Sequence, residues 1–186
     1  MSRRRYTLFS FLDSLRYANI GLGWSIGGVI AFEVARRLIA SGVNVPGLVL
    51  IDSPHPDTDT PLSNDVLDAA FSTRGNPSRA VELSRSSIQH ATAALVKYDP
   101  SSSPAKHASP KKAVMLRSRE PFRVKSTNPK SQSDAFLAER RDPTTIIAGW
   151  ESILGTKVPV LDIPGNHFEP FDPRHVSCSS CFMSVI

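Results

Sequence analysis

The chain has 186 residues, 40% of them hydrophobic and 21% charged, and its 22 Lys and Arg against 17 Asp and Glu leave a net charge of +5. That is the length of a single domain with its own core, and it holds no run of the about 18 to 20 apolar residues that a membrane helix needs. The apolar fraction excludes a chain disordered throughout, while 15 prolines and abundant serine predict polar loops between the packed segments.

The start, with Arg3, Arg4 and Arg5, is basic, but the apolar residues behind it stop at Asp13 without a small-residue cleavage site. A reducing, cytoplasmic setting is therefore expected. Tyr17 to Gly23 is a short β-capable run that meets Trp24-Ser25-Ile26-Gly27-Gly28. Beyond it Val29, Ile30, Phe32, Val34, Ala35, Leu38 and Ile39 recur at spacings of three and four, which predicts an amphipathic helix closing near Ser41-Gly42. The continuous apolar run Leu48 to Ile51 then reads as a buried strand, so strand, helix and strand form a parallel pair.

After Asp52 a Pro-rich loop leads to two helical stretches, about 63–71 and 78–98, that read as an insertion over residues 53–108. Ala113 to Leu116 is the next strand, between loops at 101–112 and 123–134. Residues 135–154 read as helical, interrupted at Asp142-Pro143, and Val158 to Ile163 is the last strand. Between Ser101 and Lys130 lie eight basic residues, Lys106, Lys111, Lys112, Arg117, Arg119, Arg123, Lys125 and Lys130, against Glu120. Only Phe122 supplies an aromatic there, so a solvated basic loop is favoured over a nucleic-acid surface. Cys178-Ser-Ser-Cys181 lies in a Ser-rich tail without the βαβ setting of a redox motif, and no His/Cys/Asp cluster has ligand spacing. No metal and no diffusible cofactor are expected.

Gly23-Trp24-Ser25-Ile26-Gly27 fits G-x-S-x-G between a strand and a helix, where a serine on a strained turn points its hydroxyl over the sheet edge. Gly21-Leu-Gly23-Trp-Ser-Ile26 misses the last glycine of a dinucleotide-binding turn, so Ser25 reads as a nucleophile, with the Ile26 N–H as an oxyanion donor. Such a serine needs a base. Of five histidines, His167 in Pro164-Gly-Asn-His-Phe168 follows the last strand, where a mobile base can swing over the nucleophile. For the orienting carboxylate, Asp52 abuts a buried strand, whereas Glu120 follows the next strand among arginines; both keep the order Ser, acid, His, and Asp52 is favoured.

Gly23-Trp-Ser-Ile-Gly-Gly28, Ala31-Phe-Glu-Val-Ala-Arg-Arg-Leu38 and Leu48-Val-Leu-Ile-Asp-Ser-Pro54 together resemble the thioesterase domains that end polyketide synthases and nonribosomal peptide synthetases, as do Glu139 to Trp150 and Asp162 to Phe168, particularly of the fungal type. The resemblance implies an α/β-hydrolase-like fold: a mostly parallel sheet flanked by helices, with a helical lid between the acid's strand and the next. It favours Asp52 further, because the family's acid lies in this D-S-P segment. It also implies release of an acyl chain from the phosphopantetheine thioester of an acyl or peptidyl carrier domain through an acyl-Ser25 intermediate.

Family members carry several strands before the nucleophile, including the loop that supplies a second oxyanion N–H, whereas 24 residues precede Ser25 here. The expectation is one partial domain over 1–176, lacking the N-terminal strands and half the oxyanion hole, with an irregular tail over 177–186. Two other readings compete with catalysis: a truncated, non-catalytic remnant, and a basic interaction module built on residues 101–130.

Overall fold

In the computed structural model, residues 19–56, 60–72, 76–124, 132–139 and 143–175 are described. Strand β1 (Ile20–Trp24) turns at one residue into α1 (Ile26–Ala40), and the chain returns as β2 (Gly47–Ile51). The connection to β3 (Lys112–Ser118) carries α2 (Asn64–Ala70) and α3 (Arg79–Leu95). That to β4 (Val160–Ile163) carries α4 (Gln132–Ala138) and α5 (Pro143–Leu154).

The four strands pair parallel in sequential order, with Trp24 opposite Ile51, Ile51 opposite Leu116 and Leu116 opposite Leu161. Their C-terminal ends therefore share one edge of the sheet. A parallel sheet places its functional loops there, because each following helix carries the chain back to the other edge.

One face of the sheet holds the main core. Leu48 and Leu50 of β2, Ala113 and Met115 of β3, Val29 and Phe32 of α1, Leu95 of α3, and Trp150 and Leu154 of α5 form one buried cluster. Phe32 and Trp150 meet edge to face at 5.7 Å, and the Trp150 indole donates to the Ser53 carbonyl at 3.2 Å. On the other face Val114 is buried among the partly covered Ile20, Val49, Leu116 and Leu161. This alternation is the period-two pattern of a pleated strand.

Local chemistry sets the helix ends. Ser63 and Ser78 cap α2 and α3, their side chains accepting from the Val66 and Val81 N–H groups, so both helices begin within one residue of the starts expected at 63 and 78. Gly42, at φ 90°, closes α1. Elsewhere the structure departs from the sequence expectation. Helix α3 stops at Leu95, and the chain tightens into i→i−3 bonds from Lys97 to Ala94 and from Tyr98 to Leu95. Strand β3 runs past its apolar stretch to Ser118 because Arg117 and Ser118 continue the ladder with Asp162 and Ile163. Strand β4 starts at Val160 rather than Val158: Pro159 has no N–H to give, although its carbonyl accepts from Met115 at 2.9 Å. Helix α4 begins at Gln132, inside the stretch read as loop, and Pro143 opens α5, where a missing N–H costs nothing.

Residues 1–18, the tail 177–186 with Cys178 and Cys181, Asp142, and Lys125 and Lys130 lie outside the described residues. Among the described residues, no helix is long and apolar enough to cross a membrane.

Candidate active site

Ser25 occupies the turn between β1 and α1 with φ 54° and ψ −133°, and Asp52, directly after β2, has φ 44°. Positive φ in a residue with a Cβ costs on the order of 1–3 kcal/mol. Both are held there by the sheet: the Ser25 N–H donates to the Ile51 carbonyl at 2.9 Å, and the Asp52 N–H to the Leu116 carbonyl at 2.7 Å. Each strained residue thus extends the ladder by one rung before its strand ends.

Close packing makes the Ser25 turn possible. A Cβ on Gly23 would lie 2.0 Å from the Gly27 carbonyl oxygen, and one on Gly28 would lie 2.0 Å from Ser53 Oγ. Gly27, the final glycine of the motif, has open space around its own Cβ position. The constraint therefore falls on Gly23 and Gly28. Ser53, fully buried, donates to the Gly23 carbonyl at 3.2 Å and so ties the two strand ends together.

His167 Nε2 lies 2.9 Å from Ser25 Oγ, and His167 Nδ1 lies 2.8 Å from Asp52 Oδ2. The other Asp52 oxygen accepts from the Ser118 backbone N–H at 3.1 Å. An ionised carboxylate only accepts, so opposite an ionised Asp52 the hydrogen-bonding tautomer is the one with its proton on Nδ1 and a lone pair on Nε2. Asp52 and His167 are almost completely covered, at 1% and 3% exposure. The burial differs from the swinging base expected from sequence. His167 is enclosed by Trp24 at 5.5 Å, Phe168 at 5.0 Å and Phe136 of α4 at 6.0 Å. Its loop is also laced down, with the Phe168 N–H on Asn166 Oδ1 and the Glu120 N–H on the Gly165 carbonyl.

Ile26 is the first residue of α1, where backbone N–H groups have no acceptor inside the helix. Glu120 is exposed, and its backbone N–H donates to the Gly165 carbonyl of the histidine loop at 3.1 Å. The other histidines sit elsewhere: His55 packs edge-on to Trp150, His90 lies on exposed α3 beside Ser86, His107 is exposed, and His175 follows the loop. Sequence reasoning missed Trp24, Ser53, Ser118 and Phe136. Trp24 and Ser53 were inside the motifs already singled out; Ser118 acts through its backbone, which leaves no residue signal.

Among the described residues, the basic side chains of β3 and its flanks are divided between its two ends. Lys111 and Lys112 lie at the start of β3, Arg117 and Arg119 at its far end, roughly 20 Å away at the rise of a strand. Arg117 is also paired with Asp162 at 2.7 Å.

The chain resembles known proteins in sequence and in fold. A family model described as "Thioesterase domain" matches residues 22–178. The chain is 31% identical to orsellinic acid synthase armB of Armillaria mellea over 156 residues, which is 83% of this chain and 7% of the synthase. It is 32% identical to the thioesterase frbD of Dothideomycetidae sp., over 87% of this chain and 62% of the relative. The chain thus spans under two thirds of these relatives. Among solved structures, the RedJ thioesterase of the prodiginine pathway in Streptomyces coelicolor superposes with a TM-score of 0.57 at 14% identity, over 97% of this chain and 69% of that one. The surfactin-cyclising thioesterase domain SrfTE gives 0.54 at 18% identity, over 99% and 75%. The parallel sheet with flanking helices is accordingly the α/β-hydrolase arrangement of those domains, and the chain belongs to the thioesterase domain family.

Proposed function

We propose that the chain releases a polyketide acyl group from the phosphopantetheine thioester of a carrier domain, with Ser25 as nucleophile, His167 as base and then acid, and Asp52 as the group that orients His167. The observation that carries this reading is the continuous hydrogen-bonded run from Asp52 through His167 to Ser25, at 2.8 and 2.9 Å, ending on a serine at the N-terminus of α1. In the first half-reaction Ser25 Oγ bonds to the thioester carbonyl carbon while His167 Nε2 takes the hydroxyl proton. The Ile26 N–H faces the developing oxyanion, favoured by the positive end of the helix. Collapse breaks the C–S bond, and the proton passes from His167 to the departing thiolate. In the second half-reaction His167 Nε2 takes a proton from water as its oxygen bonds to the acyl carbon, the C–Oγ bond breaks and the proton returns to Ser25, giving a free acid; a nucleophile within the acyl group in place of water gives a ring. The polyketide class is favoured over the peptide class because the relatives near 30% identity include orsellinic acid synthase armB and the non-reducing polyketide synthase terA of Aspergillus terreus.

The test is reaction of the purified chain with an alkyl fluorophosphonate, read by intact mass. Oγ bonds to phosphorus, fluoride leaves and His167 takes the proton. Labelling of the wild type that disappears in Ser25→Ala and His167→Ala supports the reading. A folded wild type that takes no label overturns it and leaves the non-catalytic reading.

A further inference from the structure

His167 has two ends to hold, a ring and a backbone, and the dipeptide Trp24-Ser25 touches both. The Ser25 hydroxyl lies 2.9 Å from Nε2, and the Trp24 indole N–H donates at 2.9 Å to the His167 carbonyl. Trp24 is the last residue of β1, so its Cα is fixed by the ladder opposite Ile51. His167, by contrast, sits in a loop without regular structure beyond β4. The indole therefore joins the rigid element that carries the nucleophile to the irregular one that carries the base. Its ring also lies against the imidazole at 5.5 Å and 34°.

We infer that Trp24 is a positioning residue: its indole N–H holds the His167 carbonyl so that Nε2 stays within hydrogen-bonding reach of Ser25. The inference rests on the acyl-transfer reading of Ser25 and His167. A displacement of about 1 Å at a reacting group can cost a hundredfold in rate, so one hydrogen bond at the pivot of the base carries leverage out of proportion to its own strength. The competing role is packing. Trp24 also meets Phe168 at 6.3 Å and Phe171 at 6.0 Å, and a merely structural Trp24 acts through those contacts on the folded fraction.

The two roles separate in the kinetics of labelling by an alkyl fluorophosphonate. The variants are Trp24→Phe, which keeps an aromatic ring, and a replacement of Trp24 by benzothienylalanine, which keeps the shape and exchanges only the N–H for sulfur. The expected result is a fall of about tenfold in the limiting labelling rate at saturating probe, with the half-saturating concentration unchanged and labelling complete at long times. The isosteric replacement leaves the melting temperature near that of the wild type, which guards against a folding defect in Trp24→Phe. An unchanged limiting rate in the isosteric variant overturns the inference, as does a reduced labelled fraction at the wild-type rate, which is the signature of packing. If the wild type itself takes no label, the acyl-transfer reading falls and this inference with it. If the wild type labels and the isosteric variant keeps pace, only the inference falls.

Discussion

Ser25 keeps its strained turn because two glycines remove the atoms that would block it, and they are not the pair that G-x-S-x-G advertises. A Cβ at Gly28 collides with Ser53 Oγ at 2.0 Å, whereas one at Gly27 meets nothing. Gly28→Ala is thus expected to lose on the order of 1–3 kcal/mol, and Gly27→Ala to be neutral or to gain up to about 1 kcal/mol from helix propensity. Urea denaturation of the two variants checks this, and equal losses would contradict the packing described. At the acid, Asp52→Asn leaves the shape intact but stabilises the wrong histidine tautomer, so the labelling rate should fall by on the order of 10⁴. A drop of only a few-fold would point to a different orienting group. Ser25, Asp52 and His167 were all legible in the sequence as residue types at strand ends. Their mutual distances were not, because spacing along a chain says which edge a loop occupies and not how far a side chain reaches. The choice between Asp52 and Glu120 illustrates the gap: both follow a strand, and only the fold brings Asp52 Oδ2 to His167 and leaves Glu120 exposed.

At the scale of elements, α1 is the hinge between site and core. Its inner face, with Val29, Phe32 and Ala35, is buried, while Ile30 and Val34 are 58% and 49% exposed. Phe32→Ala is therefore expected to cost about 3–5 kcal/mol and Ile30→Gln less than about 0.5 kcal/mol, as read from chemical denaturation. The hydrophobic period placed both residues in one apolar set; periodicity marks a helix but does not say how much of its apolar arc finds a partner. The side of α1 toward the segment that follows α3 is polar. Glu33 accepts from Arg37 at 2.8 Å, Tyr98 at 2.8 Å and Ser103 at 2.7 Å, while the buried Arg36 reaches the Ala105 carbonyl at 3.2 Å. This knot fastens the segment that follows α3 to α1, and no motif announced it.

The same knot makes stability depend on pH. Burial pushes the Glu33 carboxyl up, but the hydrogen bonds from Arg37, Ser103 and Tyr98 and the Arg36 charge outweigh it and hold the group below its ordinary value. Its folded pKa lies below the unfolded one, so its contribution is present above the usual carboxylate range and is lost as pH falls through the folded value. Burial and the Glu33 hydrogen bond push Tyr98 up to about 12. Its contribution is present below the unfolded value near 10 and is lost as pH rises through 12. Melting temperature should fall at both ends, and Tyr98→Phe should abolish the alkaline change while reducing the acid one. An alkaline limb that survives Tyr98→Phe would assign it to other groups.

For the whole molecule, one buried cluster draws on β2, β3, α1, α3 and α5, so these elements should melt together. A single sharp transition seen alike by tryptophan fluorescence and far-ultraviolet circular dichroism is expected; a broad transition, or one that differs between the probes, would mean that the sheet and its helices come apart separately. Trp150, with no exposed surface, touches Phe32, His55 and Ser53 at once, and Trp150→Ala should remove about 3–5 kcal/mol while leaving one transition.

The sequence by itself determined the order of strands and helices, the serine turn, the strand-end acids and histidine, and the family, because these depend on local period, glycine placement and short motifs. Only the tertiary structure decided which carboxylate meets His167, that His167 is buried, that Gly28 rather than Gly27 is under constraint, that Trp24 grips the histidine loop and that Lys111 and Lys112 lie at the opposite end of β3 from Arg117 and Arg119. Those outcomes depend on parallel pairing, which brings residues far apart in the chain to one sheet edge within hydrogen-bonding distance, and distance across a fold is not written in any local pattern.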